Sequence, residues 1–218
     1  MTTRKQTMRL NAEVLTFQEF VMHESIPLAT IHEAVLKFLQ GRDDVVIFGA
    51  QAVNAYVPEP RMSQDIDLLA LHASDLAESL RDALNQQSHL AIRVQEVVKG
   101  RGYRLYQIRK IGNRHLVDIR QVEQLPVTQR IDNLLVMAPT DLIASKIISY
   151  YQRRGQPKAG TDWRDLMMLL LQFPELKQNS SLVMQQLQRN GADEAILRSW
   201  QEIAIQKIVI SNEEDEFF

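Results

Sequence analysis

The tightest constraint on this chain is the stretch VVIFGAQAVNAYVPEPRMSQDIDLLA, residues 45–70. Val45-Val46-Ile47-Phe48 is a short unbroken apolar run, as expected of a buried strand. Gly49 follows at once, and AQAVNAYV reads as a short helix closed by Pro58 and Pro60. A strand that turns directly into a helix leaves the first backbone N–H groups without intrahelical partners, and such a terminus can hold a phosphate. Gly49 lets the backbone approach a ligand closely. QDIDLLAL then alternates, with Asp65 and Asp67 on one face of a strand and Ile66 and Leu68 on the other. Two neighbouring carboxylates repel each other unless a cation lies between them. Magnesium suits such an oxygen pair and usually binds substrate phosphate as well. A third acid, Asp118 in HLVDIR, lies in a later strand-like run with apolar neighbours that would anchor it. Three carboxylates on adjacent strands can hold two metal ions for in-line phosphoryl transfer.

The flanking sequence supplies the layers around that segment. Residues 16–40 read as helix, broken near Ile26-Pro27; Ala29, Ile31, Ala34, Val35, Phe38 and Leu39 have helical spacing. Residues 72–87 form a second long helix. Strand-like runs over 90–98, 103–110 and 114–120 are separated by Gly100, Gly102, Gly112 and Asn113, and one further strand is expected over 130–137. Pro139 is well placed at the first helical position of APTDLIASKIISYY. Helices over 163–173, 182–189 and 193–208 complete the chain. Asp162 and Asp165 read first as acids at the start of the helix beginning near Trp163. The expected class is α+β: a mixed β-sheet with flanking helices over 1–138, followed by a C-terminal helical bundle over 139–218.

Other function classes are excluded by what is missing. With no Cys, a disulfide framework and thiolate metal sites are ruled out. DLIASKIISYY and DLMMLLLQF are too short and too interrupted to span a membrane. MTTRKQTMRLNAEV has positive charge but no apolar run, so no secretory signal is expected and the cytoplasm is the expected location. The formal net charge is −2, and the tail acids Glu213, Glu214, Asp215 and Glu216 more than account for it. A nucleic-acid partner must therefore be argued from local clustering. The best cluster is Lys99, Arg101, Arg104, Arg109, Lys110 and Arg114, with Tyr103 and Tyr106 interleaved. It reads first as a solvated hairpin whose basic side chains protect a sheet edge, and second as a phosphate and base contact. His72, His89 and His115 lack metal-ligand spacing and receive no role.

Phe48-Gly49-Ala50, Asp65-Ile66-Asp67-Leu68 and Asp118 together resemble the signature of the nucleotidyltransferase superfamily with the DNA polymerase β-like core. The Arg61-x-Ser63-x-Asp65 approach and the later APTDLIASKIISYYQRRGQPKAGTDWRDLMMLL are similar to the branch containing AbiEii-like, toxin-related nucleotidyltransferases. The resemblance implies a magnesium-dependent transfer of a nucleoside monophosphate from a nucleoside triphosphate to RNA, a protein side chain or a small molecule. It implies Asp65, Asp67 and Asp118 as metal ligands, with two Mg²⁺ ions accommodated, and Asp118 orienting or deprotonating the acceptor hydroxyl. Gly49, Ala50 and Gln51 would contact phosphates through the main chain, with Arg61 and Ser63 in the nucleotide site. Lys146 would neutralise phosphate charge, and Arg153 or Arg154, Asp162 and Asp165 fall at the branch's basic and acidic positions. An antitoxin partner is implied in the same way, while a tRNA acceptor follows only if the 99–114 basic cluster contacts nucleic acid. Ala50 stands where the signature carries Gly or Ser, which keeps a backbone donor and removes a hydroxyl. It supports an alternative reading, a nucleotidyltransferase fold that binds or regulates without catalysing.

Overall fold

Seven strands of the computed structural model hydrogen-bond into one mixed sheet, built entirely from the sequence before Pro139. The structure describes residues 27–178 and 180–208. The expected helix over 16–26 and the acidic tail lie outside the described residues. Two compact units meet in sequence between Ala138 and Pro139. No helix among the described residues is long and apolar enough to cross a membrane.

In the first unit, α1 (Leu28–Leu39) buries Ile31, Val35, Leu36 and Leu39, one stripe of its surface. All four residues of β1 (Val45–Phe48) are buried. There follow α2 (Gly49–Tyr56), β2 (Ile66–Ala70) and α3 (Ala73–Ser88). Next come β3 (Ile92–Val98), β4 (Gly102–Gln107) and β5 (Arg114–Gln121), and last β6 (Thr128–Ile131) and β7 (Leu134–Met137). The strand order is β3-β4-β5-β2-β1-β7-β6. β2 lies parallel to β5 and antiparallel to β1, and β1 lies parallel to β7. Alternation along β2 buries Ile66 and Leu68 completely and sends Asp67 to the opposite face. Leu76, Leu80 and Leu84 of α3 are buried as well, each side chain contributing roughly 1.5–3 kcal/mol of transfer free energy.

The single strand expected over 130–137 is instead a hairpin. Asp132 (φ 48°) and Asn133 (φ 64°) both take left-handed backbone and reverse the chain between β6 and β7. Asp and Asn tolerate this conformation better than other non-glycine residues, and two successive positive φ values match the twist of a tight hairpin.

The second unit is helical: α4 (Pro139–Gln152), α5 (Pro157–Gln172), α6 (Pro174–Gln178), α7 (Ser180–Arg189) and α8 (Glu194–Ile205). Leu142, Ile143 and Ile147 of α4 and Leu166, Leu169 and Leu170 of α5 are fully buried. Asp193 caps α8, its side chain accepting from the Ile196 N–H at 2.9 Å. Trp200 is buried and donates from Nε1 to the Ser180 carbonyl at 3.0 Å. α5 starts at Pro157, not near Trp163, because proline is pre-organised for the first helical position. Asp162 and Asp165 are therefore interior helix residues, and the reading of them as helix-start acids is corrected.

Candidate active site

The turn from β1 into α2 is shaped by Gly49. Its φ is +68°, and a Cβ there would lie 2.1 Å from Asp67 Oδ2, so the carboxylate of Asp67 rests against the bare glycine. Phe48, at the helix cap, makes no side-chain hydrogen bond to the helix. Gly49, Ala50 and Gln51 form the first turn, where backbone N–H groups lack intrahelical acceptors.

The segment between α2 and β2 is tied down at two points. Asn54 Nδ2 donates to the Arg61 carbonyl at 2.7 Å, and Asn54 Oδ1 accepts from the Arg61 N–H at 3.0 Å. Arg61 Nη1 donates to the Met62 carbonyl at 3.2 Å. Ser63 Oγ donates to the Asp65 carbonyl at 2.9 Å and lies 3.5 Å from Asp65 Oδ1. Arg61 and Ser63 thus shape the approach that delivers Asp65.

Asp67 and Asp118 are direct register partners on the parallel strands β2 and β5, so their side chains leave the same face of the sheet. Asp65, His115 and Asp118 offer ligand atoms that all lie within 4.8 Å of one another. His115 Nδ1 is 3.3 Å from Asp65 Oδ2, and His115 Nε2 is 3.5 Å from Asp118 Oδ1. Asp67 stands outside that trio, with its carboxylate turned to Gly49.

His115 had no sequence signal. Residues three apart on a regular strand point to opposite faces. Here the β4–β5 ladder pairs Leu105 with Val117 and Tyr106 with His115, passing over Leu116. The bulge restores His115 to the face of Asp118. The Tyr106 ring lies beside the imidazole, 5.3 Å between centroids.

Arg104, the β4 partner of Asp118, places Nε 2.7 Å from Asp118 Oδ1. Burial alone would raise the Asp118 pKa, but His115 and Arg104 together outweigh it and hold the carboxyl below the usual aspartate range. The contact with Asp118 raises the His115 pKa against the opposing effect of burial. Beside Asp118 opens a pocket of about 330 Å³ lined by Val97, Val98, Arg101, Gly102, Arg104 and Arg120, among others. Part of the 99–114 basic cluster therefore faces the acids, while Arg109 donates to the Gly112 carbonyl within its own hairpin. Two carboxylates and an imidazole, partly buried and nearly in contact, are a donor set that fits a divalent cation.

Lys146 belongs to another cluster, inside the helical unit. Its Nζ is 2.8 Å from Asp165 Oδ2 and 3.5 Å from Asp162 Oδ1. Arg153 Nη1 reaches Asp162 Oδ2 at 2.7 Å. Arg154 donates to Ser199 Oγ at 2.9 Å and lies over the Tyr151 ring. Lys146, Arg153, Asp162 and Asp165 thus form one connected ion-pair network, with Arg154 outside it.

The family described as "Nucleotidyl transferase AbiEii toxin, Type IV TA system" matches residues 34–209. No curated protein matches the chain. Among solved structures, the Megavirus polyadenylate synthase is similar at a TM-score of 0.57 and 13% identity. That match covers 72% of this chain and 34% of the viral protein, so this chain spans about a third of that relative's length. JHP933 from Helicobacter pylori is similar at a TM-score of 0.50 and 13% identity, over 88% of this chain and 91% of that one. At such identities the likeness shows a shared fold. The family match covers both the sheet that carries Asp65, Asp67 and Asp118 and most of the helical unit: the chain belongs to the AbiEii nucleotidyltransferase family.

Proposed function

We propose that the protein transfers a nucleoside monophosphate from a nucleoside triphosphate to an acceptor hydroxyl, releasing pyrophosphate, with magnesium as cofactor. The observation that carries this reading is the in-register pair Asp67–Asp118, with Asp65 on the same face and the Gly49 turn against Asp67. Bound at these acids, a divalent cation would neutralise phosphate charge and polarise the reacting oxygens. Asp65, Asp67 and Asp118 would hold it. Backbone N–H groups of Gly49, Ala50 and Gln51 would take phosphate oxygens, with Arg61 and Ser63 fixing the adjoining loop. Asp118, kept ionised by Arg104 and His115, accepts a hydrogen bond from the acceptor hydroxyl and orients it. The hydroxyl oxygen bonds to the α-phosphorus, the α–β phosphoanhydride bond breaks, and the hydroxyl proton passes to Asp118 or water. For Lys146, the buried pairing with Asp165 supports a structural role over phosphate neutralisation.

The acceptor classes are RNA including tRNA, a protein side chain, or a small molecule. The family description supports a toxin of a toxin–antitoxin pair, and the cytoplasm is its proposed location. The unit before Pro139 would serve as the nucleotidyltransferase core, and the helical unit as its C-terminal companion. Ala50 favours a second reading, a binding or regulatory module on the same fold.

The test supplies the four α-labelled nucleoside triphosphates with magnesium, bulk tRNA and cell protein. Wild type is run beside an Asp65→Asn/Asp67→Asn double variant. Label transfer that requires both acids and metal supports the enzyme and identifies nucleotide and acceptor together. Metal-dependent binding without transfer to any acceptor supports the regulatory module.

A further inference from the structure

We infer that His115 is a metal ligand, alongside Asp65 and Asp118, and that it shifts the preference of the site from magnesium toward manganese. This rests on the proposed metal-dependent function and deepens it. The bulge at Leu116 brings the imidazole onto the acid face, where one ring nitrogen looks at each carboxylate. Nε2 is shielded from solvent and makes no well-formed hydrogen bond, although Asp118 Oδ1 is only 3.5 Å away. A shielded polar atom without a partner calls for an ion or a water to satisfy it. Asp118 supplies the oxygen beside that nitrogen and Asp65 the oxygen beside Nδ1, and one ligand atom from each of the three residues fits within 4.8 Å of the others.

The donor set decides which cation gains. Magnesium prefers oxygen ligands and keeps several waters. Imidazole favours divalent transition metals, while carboxylate suits magnesium and manganese alike. One imidazole between two carboxylates therefore selects a cation that tolerates both donor types. A ligating histidine usually gives its other N–H to a carboxylate, and the second carboxylate beside the ring provides for this.

Pulsed electron paramagnetic resonance of Mn²⁺ bound to the full chain tests the assignment without reference to turnover. The expected result is ¹⁴N modulation of the manganese signal, replaced by the ¹⁵N pattern when the protein carries ¹⁵N-histidine. That arm needs no substitution, so it does not depend on a variant folding. His115→Gln should lose the modulation and bind Mn²⁺ at least about tenfold more weakly, with a smaller change for Mg²⁺. Bound Mn²⁺ without nitrogen coupling overturns the role of His115 and leaves a carboxylate metal site intact. No binding of Mn²⁺ or Mg²⁺ to folded wild type overturns both this inference and the metal-dependent function.

Discussion

Lys146 Nζ lies 2.8 Å from Asp165 Oδ2, with 8% of the lysine side chain and none of the aspartate side chain exposed. A charge pair so placed is costly to form and costlier to break, because removing one partner strands the other without water. Lys146→Met should destabilise the protein by about 3–5 kcal/mol in urea unfolding. Lys146→Met/Asp165→Leu should recover much of that loss. If Lys146→Met unfolds normally but loses nucleotide binding, the structural role is wrong and phosphate neutralisation is restored.

Gly49→Ala should damage the site and the fold together. The added Cβ meets Asp67 Oδ2 at 2.1 Å, and φ is +68°. The backbone strain alone costs on the order of 1–3 kcal/mol. Thermal unfolding should show the loss, and nucleotidyl transfer should fall as Asp67 is pushed aside. Gly155→Ala is the comparison: φ is +81° there, with open space around the Cβ, so it should lower stability without lowering transfer.

Asp118→Asn removes the carboxylate that both Arg104 and His115 approach. Transfer should fall about 10²–10⁴-fold if that carboxylate handles the acceptor proton. The measurement is single-turnover label transfer at saturating nucleotide. An unchanged rate would remove Asp118 from the reaction.

Asp141 gives a pH-dependent prediction. Burial raises its pKa above the ordinary 3.8, outweighing its backbone hydrogen bond and the more distant Arg189. The folded state thus holds this proton more tightly than the unfolded chain does. The resulting stabilisation is complete below the unfolded pKa and is lost as pH rises through the folded value. Asp141→Asn leaves an oxygen to accept from Gln186 Nε2, now 2.8 Å from the carboxylate. The variant should be more stable than wild type at neutral pH, with the advantage fading in acid. Urea midpoints across that range measure it.

Much of this architecture was legible because local patterns agreed with one another. The apolar run before Gly49 and the alternation around Asp65 and Asp67 each define a strand, and apolar neighbours mark the strand of Asp118. His115 was illegible because a bulge changes the phase of β5 without leaving a special residue in the sequence. The β6–β7 turn was missed because Asp132-Asn133 lacks the glycine that usually marks such a reversal. The early start of α5 was hidden because its first turns bury only Ala159 and Asp162, which carry no apolar period, while Lys158, Gly160 and Thr161 are exposed. The ion pairs of Lys146 depend on how α4 meets α5, and spacing within one helix does not specify its partner.

The sheet order also sets when this protein can be complete as it is synthesised. β5 must insert beside β2 after the intervening α3, β3 and β4 have been made, and β1 awaits β7 on its other side. A nascent chain with only Asp65 and Asp67 outside the ribosome holds two of the three acids and an unfinished sheet. Non-local parallel pairings of this kind come late, since chain entropy is lost before contacts repay it. Truncated products carry the Asp-Ile-Asp motif without Asp118, and the neighbourhood of Asp67, with Phe48, Gly49 and Asp118, closes only once β5 has been made.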